Sequence, residues 1–305
     1  MIVCRSAAEI ERMRAANELV ADILEQLGAM VAPGVTTLDL DHAAERWVRA
    51  AGAVPAFKGY RGFPATLCTS VNHQVVHGIP SKKTVLREGD VVSVDIGVKL
   101  DGYFGDCAAT FPVGAIGDEA QQLLRVTRES LERGIAAVKA GGRVSDIGHA
   151  VQTWVERFGY SVVREFVGHG VGTSLHEEPQ VPNYGPAGRG PRLQEGMVIA
   201  IEPMVNAGRP AVKVLEDGWT AVTRDGSLSA HFEHTVAVTR TGADVLTPSG
   251  AGDGRRRGRR TAAAGAGEGG DRGGAPRGGA PRRGPAAELR AGAGGRAGRG
   301  GTLAA

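Results

Sequence analysis

The chain has 305 residues, 42% of them hydrophobic, enough for one large folded domain or two ordinary ones. Its apolar runs are short and interrupted, which excludes a membrane-spanning helix, and the N-terminus carries Arg5, Glu9, Glu11, Arg12 and Arg14 where a signal peptide would be apolar. The net charge of +3 divides unevenly: residues 251–305 hold 12 Arg, no Lys and four acids, +8, which leaves 24 basic and 29 acidic residues, −5, in the first 250, so any nucleic-acid inference rests on the C-terminal part alone.

In chain order, Ser6 to Glu9 reads as a capping box that opens a helix running to about Met30. Pro33-Gly34 breaks it. A second helix is predicted from about Leu38 to Ala51, ending at Gly52. Strand patterns follow within Pro64–Val76 and Val91–Phe111. Two further helices are predicted at about Asp118–Lys139 and Ser145–Phe158, then strands at Ser161–Val167, Met197–Val205 and Ala230–Val238. Residues 1–248 therefore form the folded part. The segment 249–305 is rich in Gly, Arg, Ala and Pro, with 18 Gly among the last 55 residues, and has almost nothing to bury, so it is expected to be a disordered tail. Arg-Gly-rich tails bind RNA weakly through phosphates; an inert extension is the favoured reading. Three cysteines, Cys4, Cys68 and Cys107, lack paired spacing and fit a reducing cytoplasm better than a disulfide framework.

An offset of 107 residues hides an internal repeat. It pairs Leu24-Glu25 with Leu131-Glu132, Gly34 with Gly141, Asp39 with Asp146, His42-Ala43 with His149-Ala150, Trp47-Val48 with Trp154-Val155, and Gly52 with Gly159. Each half is two helices followed by strands. The predicted class is α+β, with helix pairs related by a pseudo-two-fold repeat and packed on one face of a curved, mostly antiparallel sheet. Because His42 and His149 lie on matching helices, they read as scaffold.

The chemistry starts in Val91–Phe111. A two-residue turn at Asp101-Gly102 makes this stretch a hairpin with Asp106 opposite Gly97. Side chains alternate, so Asp95 shares a face with Asp106, and the two become diagonal neighbours able to converge on one ion or two close ones. His169 lies in a Gly-flanked segment where backbone and ligand can approach closely. Glu202 follows the apolar run Met197–Ile201, and Glu233 precedes Val236–Val238. Each residue alone could be a paired structural or solvated group. Together, four carboxylates and an imidazole balance two divalent cations of the Mn, Fe, Co or Zn kind. Such a pair activates a water for hydrolysis without a Ser or Cys nucleophile. His77 and His176 stand out as imidazoles able to move protons or hold a carbonyl, although for either seen alone a satisfied core histidine is the favoured reading. A zinc-protease helix at His176-Glu177 is excluded, since Gln180 stands where the second His belongs and Pro179 and Pro182 break the helix.

Six segments in order resemble type I methionine aminopeptidase: Val75-Val-His-Gly-Ile-Pro80, Ser93-Val-Asp-Ile-Gly97, Gly168-His-Gly-Val-Gly172, His176-Glu-Glu-Pro-Gln180, Ala200-Ile-Glu-Pro203 and Phe232-Glu-His-Thr235. The resemblance covers about residues 1–248 and implies the pita-bread fold, cytoplasmic action as a monomer on peptide or nascent-chain N-termini, transient ribosome contact, and preference for a small residue after methionine. It implies that Asp95 chelates one metal, that His169 and Glu202 hold the other, and that Asp106 and Glu233 bridge both. Glu202 is the implied base for a metal-bridging water that attacks the scissile carbonyl, His77 assists proton transfer to the leaving amine or contacts the scissile amide, and His176 contacts the substrate carbonyl and the intermediate. The implied methionine pocket is Phe57, Tyr60, Phe63, Cys68, Leu175 and Trp219, with sulfur–aromatic contacts suited to a thioether. Leu175 and Phe57 depart from the Phe and Cys often found there. Asn72, a carbonyl near Gln74 and Ser229 are implied to surround a monovalent cation. The C-terminal tail has no place in the family fold.

Two rivals remain at this level. A proline-directed aminopeptidase or dipeptidase would share the five ligands but carry a large extra N-terminal domain and a different pocket. A non-catalytic relative that binds RNA or ribosomes would have lost ligands, whereas all five stand here.

Overall fold

The computed structural model describes residues 1–248 and 303–304. Helix α1 spans Ala7–Met30 behind the expected box, in which the Ser6 hydroxyl accepts the Glu9 N–H and the Glu9 carboxylate accepts the Ser6 N–H. Helix α2 spans Thr37–Ala50 and begins one residue before expectation, because Thr36 and Asp39 form a second box of the same kind. Helices α3 (Asp118–Ala136) and α4 (Val144–Glu156) complete the set and end slightly early.

The repeat is visible in the backbone. Offset by 107, Thr37 maps onto Val144, the starts of α2 and α4. Gly34 and Gly141 take φ of 92° and 87°, and Gly52 and Gly159 both take 76°, a left-handed geometry that favours glycine. The Asp146 carboxylate accepts the Arg143 N–H at 2.7 Å, as Asp39 accepts that of Thr36. His42 and His149 are exposed at matching positions on α2 and α4.

The strands are β1 (Val54–Pro55), β2 (Leu67–Val71), β3 (Gln74–Val76), β4 (Val91–Leu100), β5 (Tyr103–Pro112), β6 (Ser161–Val162), β7 (Phe166–Gly170), β8 (Glu177–Val181), β9 (Val198–Ile201), β10 (Met204–Asn206), β11 (Val212–Val214), β12 (Ala221–Thr223), β13 (Ser229–His231), β14 (Glu233–Val238), β15 (Ala243–Val245) and β16 (Leu303–Ala304). Ten of them form one curved sheet in the order β1-β4-β5-β14-β9-β7-β16, with β2 on β4, β15 on β14 and β8 on β7; two three-stranded sheets, β13-β10-β6 and β11-β12-β3, lie beside it. Pairing is antiparallel except where β16 joins β7 at Phe166 and Val167. Apart from that pair, the tail expected at 249–305 lies outside the described residues.

Two cores back the main sheet. Val20, Leu24 and Leu27 of α1 and Leu40, Ala44 and Val48 of α2 meet Val92, Val94, Ile96 and Val98 of β4. Leu123, Val126 and Leu131 of α3 and Ile147 and Val151 of α4 meet Ile199, Ile201, Val236 and Val238. With the even residues of β4 turned to the helices, Ser93, Asp95 and Gly97 turn to the opposite face. This is the pita-bread arrangement implied by the resemblance.

Candidate metal centre

The β4–β5 hairpin turns at Asp101 and Gly102, both with positive φ (49° and 87°), and its register pairs Gly97 with Asp106 and Asp95 with Ala108. Asp95 and Asp106 are therefore diagonal neighbours on the helix-free face, as the hairpin argument required. Asp106 is pinned from behind: its N–H donates to Asn17 Oδ1 of α1 at 3.3 Å and its carbonyl accepts from Thr235 Oγ1 at 2.8 Å.

The other carboxylates occupy places where strands change sheets. The runs expected at Met197–Val205 and Ala230–Val238 are each interrupted. At Glu202-Pro203 the chain leaves β9, in the main sheet, for β10 in a small one; at Phe232 it leaves β13 in that same small sheet for β14 in the main one. The two breaks lie side by side, because His234 pairs with Ile201 on one side of them and Met204 with His231 on the other. Pro203 cannot donate to a ladder, which gives the first break its local cause. Glu202 and Glu233 thus sit at adjacent breaks next to the hairpin acids.

His169 on β7 completes the group. Its Nε2 lies 3.5 Å from Glu202 Oε1 and 3.8 Å from Asp106 Oδ2, and its Nδ1 is 2.9 Å from the Gly170 carbonyl oxygen. Ligand atoms of Asp106, His169 and Glu233 all lie within 4.8 Å of one another. Bulk at Gly168 would drive a Cβ into the Ala200 carbonyl, and at Gly170 into the Glu178 carbonyl, so the glycines flanking His169 allow neighbouring backbone to close around it.

All five side chains are buried, between 2% and 7% exposed. Asp95 Oδ1, Asp106 Oδ1, Glu202 Oε1 and Glu233 Oε1 have no hydrogen-bond partner. Burial drives the carboxyls of Asp95, Asp106, Glu202 and Glu233 upward, and mutual repulsion raises Asp106, Glu202 and Glu233 further. Burial, then His176, lowers His169 to about 3, which leaves it neutral with a free lone pair. Four unpartnered carboxylates and a neutral imidazole are costly in a dry interior and suit divalent cations as compensation, so these residues fit a metal centre.

A cavity of about 180 Å³ opens beside them. It is smaller than the roughly 300–1,000 Å³ of drug-sized sites and of a scale for a single side chain. Phe57, Tyr60, Phe63, Cys68, Leu175 and Trp219 all line it, with Asp95, His77 and His176 at its polar end. Cys68 is paired with Asp95 across β2 and β4, so the pocket abuts the acids directly. Trp219 packs edge-on against Phe63 with centroids 5.2 Å apart, and its backbone N–H donates to Asp217 Oδ1 at 2.8 Å. His77 takes a left-handed φ of 61°, which a non-glycine residue adopts only when its surroundings impose it; Phe166 meets its ring edge-on at 5.3 Å. Burial, then His176, lowers His77 to about 4. His176 Nδ1 is 2.8 Å from the Tyr60 hydroxyl, and its ring centroid is 4.3 Å from that of His169. Asn72 and Ser229 also meet, the Ser229 N–H donating to the Asn72 carbonyl at 2.9 Å.

Several residues at the site escaped the sequence reading. Phe166, Arg61, Val214 and Gly218 line the pocket. His231, 1% exposed, has its Nε2 3.7 Å from Glu202 Oε2 and no hydrogen-bond partner there. Asn17 braces Asp106 from a helix about ninety positions away in the chain. The one available signal was His231's position two residues before Glu233; for the others, contact across distant elements leaves no local pattern.

With the geometry established, comparison with known proteins is direct. Residues 11–240 match metallopeptidase family M24. Methionine aminopeptidase 1 of Bacillus subtilis (strain 168) is 55% identical over 247 residues, covering 81% of this chain and 99% of that protein. Among solved structures, methionine aminopeptidase from Thermotoga maritima superposes with a TM-score of 0.80 at 48% identity, over 81% of this chain and 99% of that one. The Rickettsia prowazekii enzyme gives 0.80 at 41% identity, over 81% and 100%.

Proposed function

Because the chain belongs to metallopeptidase family M24, as a methionine aminopeptidase acting on peptide N-termini, we propose that its reaction runs on the five buried ligands together with His77 and His176. The observation that carries this reading is the set of four buried carboxylates, each with an unpartnered oxygen, gathered around His169. In this reading Asp95, Asp106, His169, Glu202 and Glu233 would hold two divalent ions, Asp95 toward one, His169 and Glu202 toward the other, with Asp106 and Glu233 shared. The ions are Co, Mn, Fe or Zn by donor chemistry. When bound, they supply Lewis acidity, lowering the pKa of a water and polarising the scissile carbonyl.

The chain's own groups do the rest. Glu202 takes the proton of the attacking water, and its position between His169 and His231 supports this. His77, kept neutral by burial, sits at the polar end of the pocket and either relays to the leaving amine the proton that Glu202 has taken or contacts the scissile amide. His176, anchored by the Tyr60 hydroxyl, donates to the substrate carbonyl oxygen as negative charge develops there. The aromatic and thiol lining of the cavity accepts the methionine side chain. A cavity of one-side-chain size leaves the second substrate residue near the metal ligands, which supports the preference for a small one.

We further assign 1–248 as the catalytic domain and 249–305 as an appendage to it, with a monovalent cation at Asn72 and Ser229. The enzyme acts as a cytoplasmic monomer on nascent chains, in transient contact with the ribosome; the unpaired Cys4, Cys68 and Cys107 suit a reducing compartment. Among the described residues no helix is long and apolar enough to cross a membrane. The deciding experiment is metal-dependent hydrolysis of a Met-Ala peptide beside an X-Pro peptide. Met-Ala cleavage that needs added Mn or Co, and falls more than about 100-fold in Asp106→Ala, supports the reading. Cleavage confined to X-Pro, or retained in that variant, refutes it.

A further inference from the structure

The loop between β7 and β8 carries both Leu175, in the pocket wall, and His176. It has no secondary structure of its own, so something else must hold it. The carboxylate of Glu177 is the hub. Its Oε1 accepts the backbone N–H of Thr173 at 2.9 Å and of Ser174 at 3.1 Å, so both turns of the loop close on one side chain. Against that carboxylate lies Arg5, whose Nη2 is 2.7 Å from Oε1 and 2.6 Å from Oε2. The Arg5 and Glu177 side chains are only 8% and 14% exposed.

Arg5 is itself anchored. Its backbone N–H donates to the Gly196 carbonyl at 2.7 Å, just ahead of β9, and the next residue caps α1. A Cβ on Gly172 would collide with both the Arg5 guanidinium and the Glu177 carboxylate, so the backbone leaves room for the ion pair there. The Phe104 N–H then holds the Gly172 carbonyl at 2.9 Å.

We propose that Arg5 is a positioning residue for catalysis: through Glu177 it clamps the 172–177 loop so that His176 faces the substrate carbonyl. The inference rests on the role assigned to His176 above. Arg5 touches neither the pocket nor any of the five ligands, and acts only through Glu177. The Arg5 guanidinium also reaches Glu9 Oε1 at 3.7 Å, but its two short contacts are to Glu177, and parting that largely buried pair would leave a desolvated charge uncompensated. Displacing a catalytic group by about 1 Å can cost on the order of 100-fold in rate.

The test uses the full chain loaded with Mn and a Met-Ala peptide, comparing Arg5→Met, Arg5→Lys, His176→Ala and the Arg5→Met/His176→Ala double variant. Amide hydrogen exchange is read at Thr173 and Ser174. Arg5→Met is expected to speed exchange there by at least about 10-fold and to lower kcat by about 10–100-fold, with two Mn still bound. Arg5→Lys, which keeps the charge, recovers part of both. The double variant is no slower than His176→Ala within about threefold, because the clamp acts through the group already removed. Wild-type exchange in Arg5→Met, or losses that multiply in the double variant, overturns the proposal. If His176→Ala alone hydrolyses like wild type, the role of His176 fails, and exchange at the two amides by itself decides whether Arg5 clamps the loop. Should Arg5→Met not fold, Glu177→Gln, which keeps an acceptor for the loop amides but loses the charge, is read in the same way.

Discussion

Glu202 combines features that no other acid among the described residues shares. It ends a buried strand, precedes a proline, and lies between two neutral histidines with one oxygen unpartnered. Without metal, burial and its acidic neighbours hold its carboxyl well above the usual range. Glu202→Gln keeps a ligating oxygen but cannot take a proton. Its kcat is expected to fall by about 10²–10⁴-fold, with metal content unchanged and KM within a few-fold. Steady-state kinetics and metal analysis of that variant check this; wild-type kcat would remove Glu202 as the base. His231 shows the limit of reading at this scale. From residue order it is one of two histidines flanking Glu233, and only the side-by-side strand breaks bring its ring to Glu202.

At the scale of elements, the hairpin and α1 act as one part. Gly105 on β5 lies so close to α1 that a Cβ there would sit 2.6 Å from the Ala16 carbonyl carbon and 2.8 Å from the Asn17 N. These are backbone atoms of a helix and cannot rotate away. Gly105→Ala is therefore expected to push α1 from the sheet, cost about 1–3 kcal/mol, and loosen the Asn17 brace on Asp106. Denaturant unfolding gives the first quantity and a metal titration the second; a variant of wild-type stability and metal affinity would contradict the packing argument. The hairpin register was legible in the chain, since Asp101-Gly102 sets the turn and alternation does the rest. The small sheets were not. β10 and β13 continue the apolar patterns of β9 and β14, and nothing in hydrophobic alternation tells a continuous strand from one that changes partner.

For the whole molecule, the metal centre is also a stability element. With metal removed, the four raised carboxyls bind more protons in the folded state than in the unfolded one, so folding stability falls as pH rises through their folded pKa values. The lowered histidines His77, His169, His231 and His234 act in the opposite sense, but only below their ordinary value of 6.5. Above pH 6.5 the raised carboxylates dominate, and the loss of stability runs at least to the folded value of Asp95, raised to about 8. Chelated protein is expected to lose Tm steadily from pH 6.5 to 8, while Mn-loaded protein does not. Parallel melts in EDTA and in Mn test this; equal slopes would show that the acids are compensated without metal. Deleting residues 251–305 is expected to leave kcat/KM for a Met-Ala peptide unchanged. A clear loss would show that the C-terminal segment, including the β16 pairing with β7, takes part in catalysis.

What the chain determines by itself is what local rules can carry: capped helices, a hairpin with two acids on one face, a repeat with offset 107, and five residues of metal-binding type. Those features depend on period, turn chemistry and side-chain identity within a few positions of one another. Only the tertiary structure decides that the carboxylates of β4, β5 and two strand breaks meet His169 in a dry space, that Cys68, Leu175 and Trp219 close one cavity, and that Arg5 reaches Glu177 across 172 positions. Convergence of that kind is set by how the two halves curve and pack against each other, and a one-dimensional pattern holds no term for the distance between them.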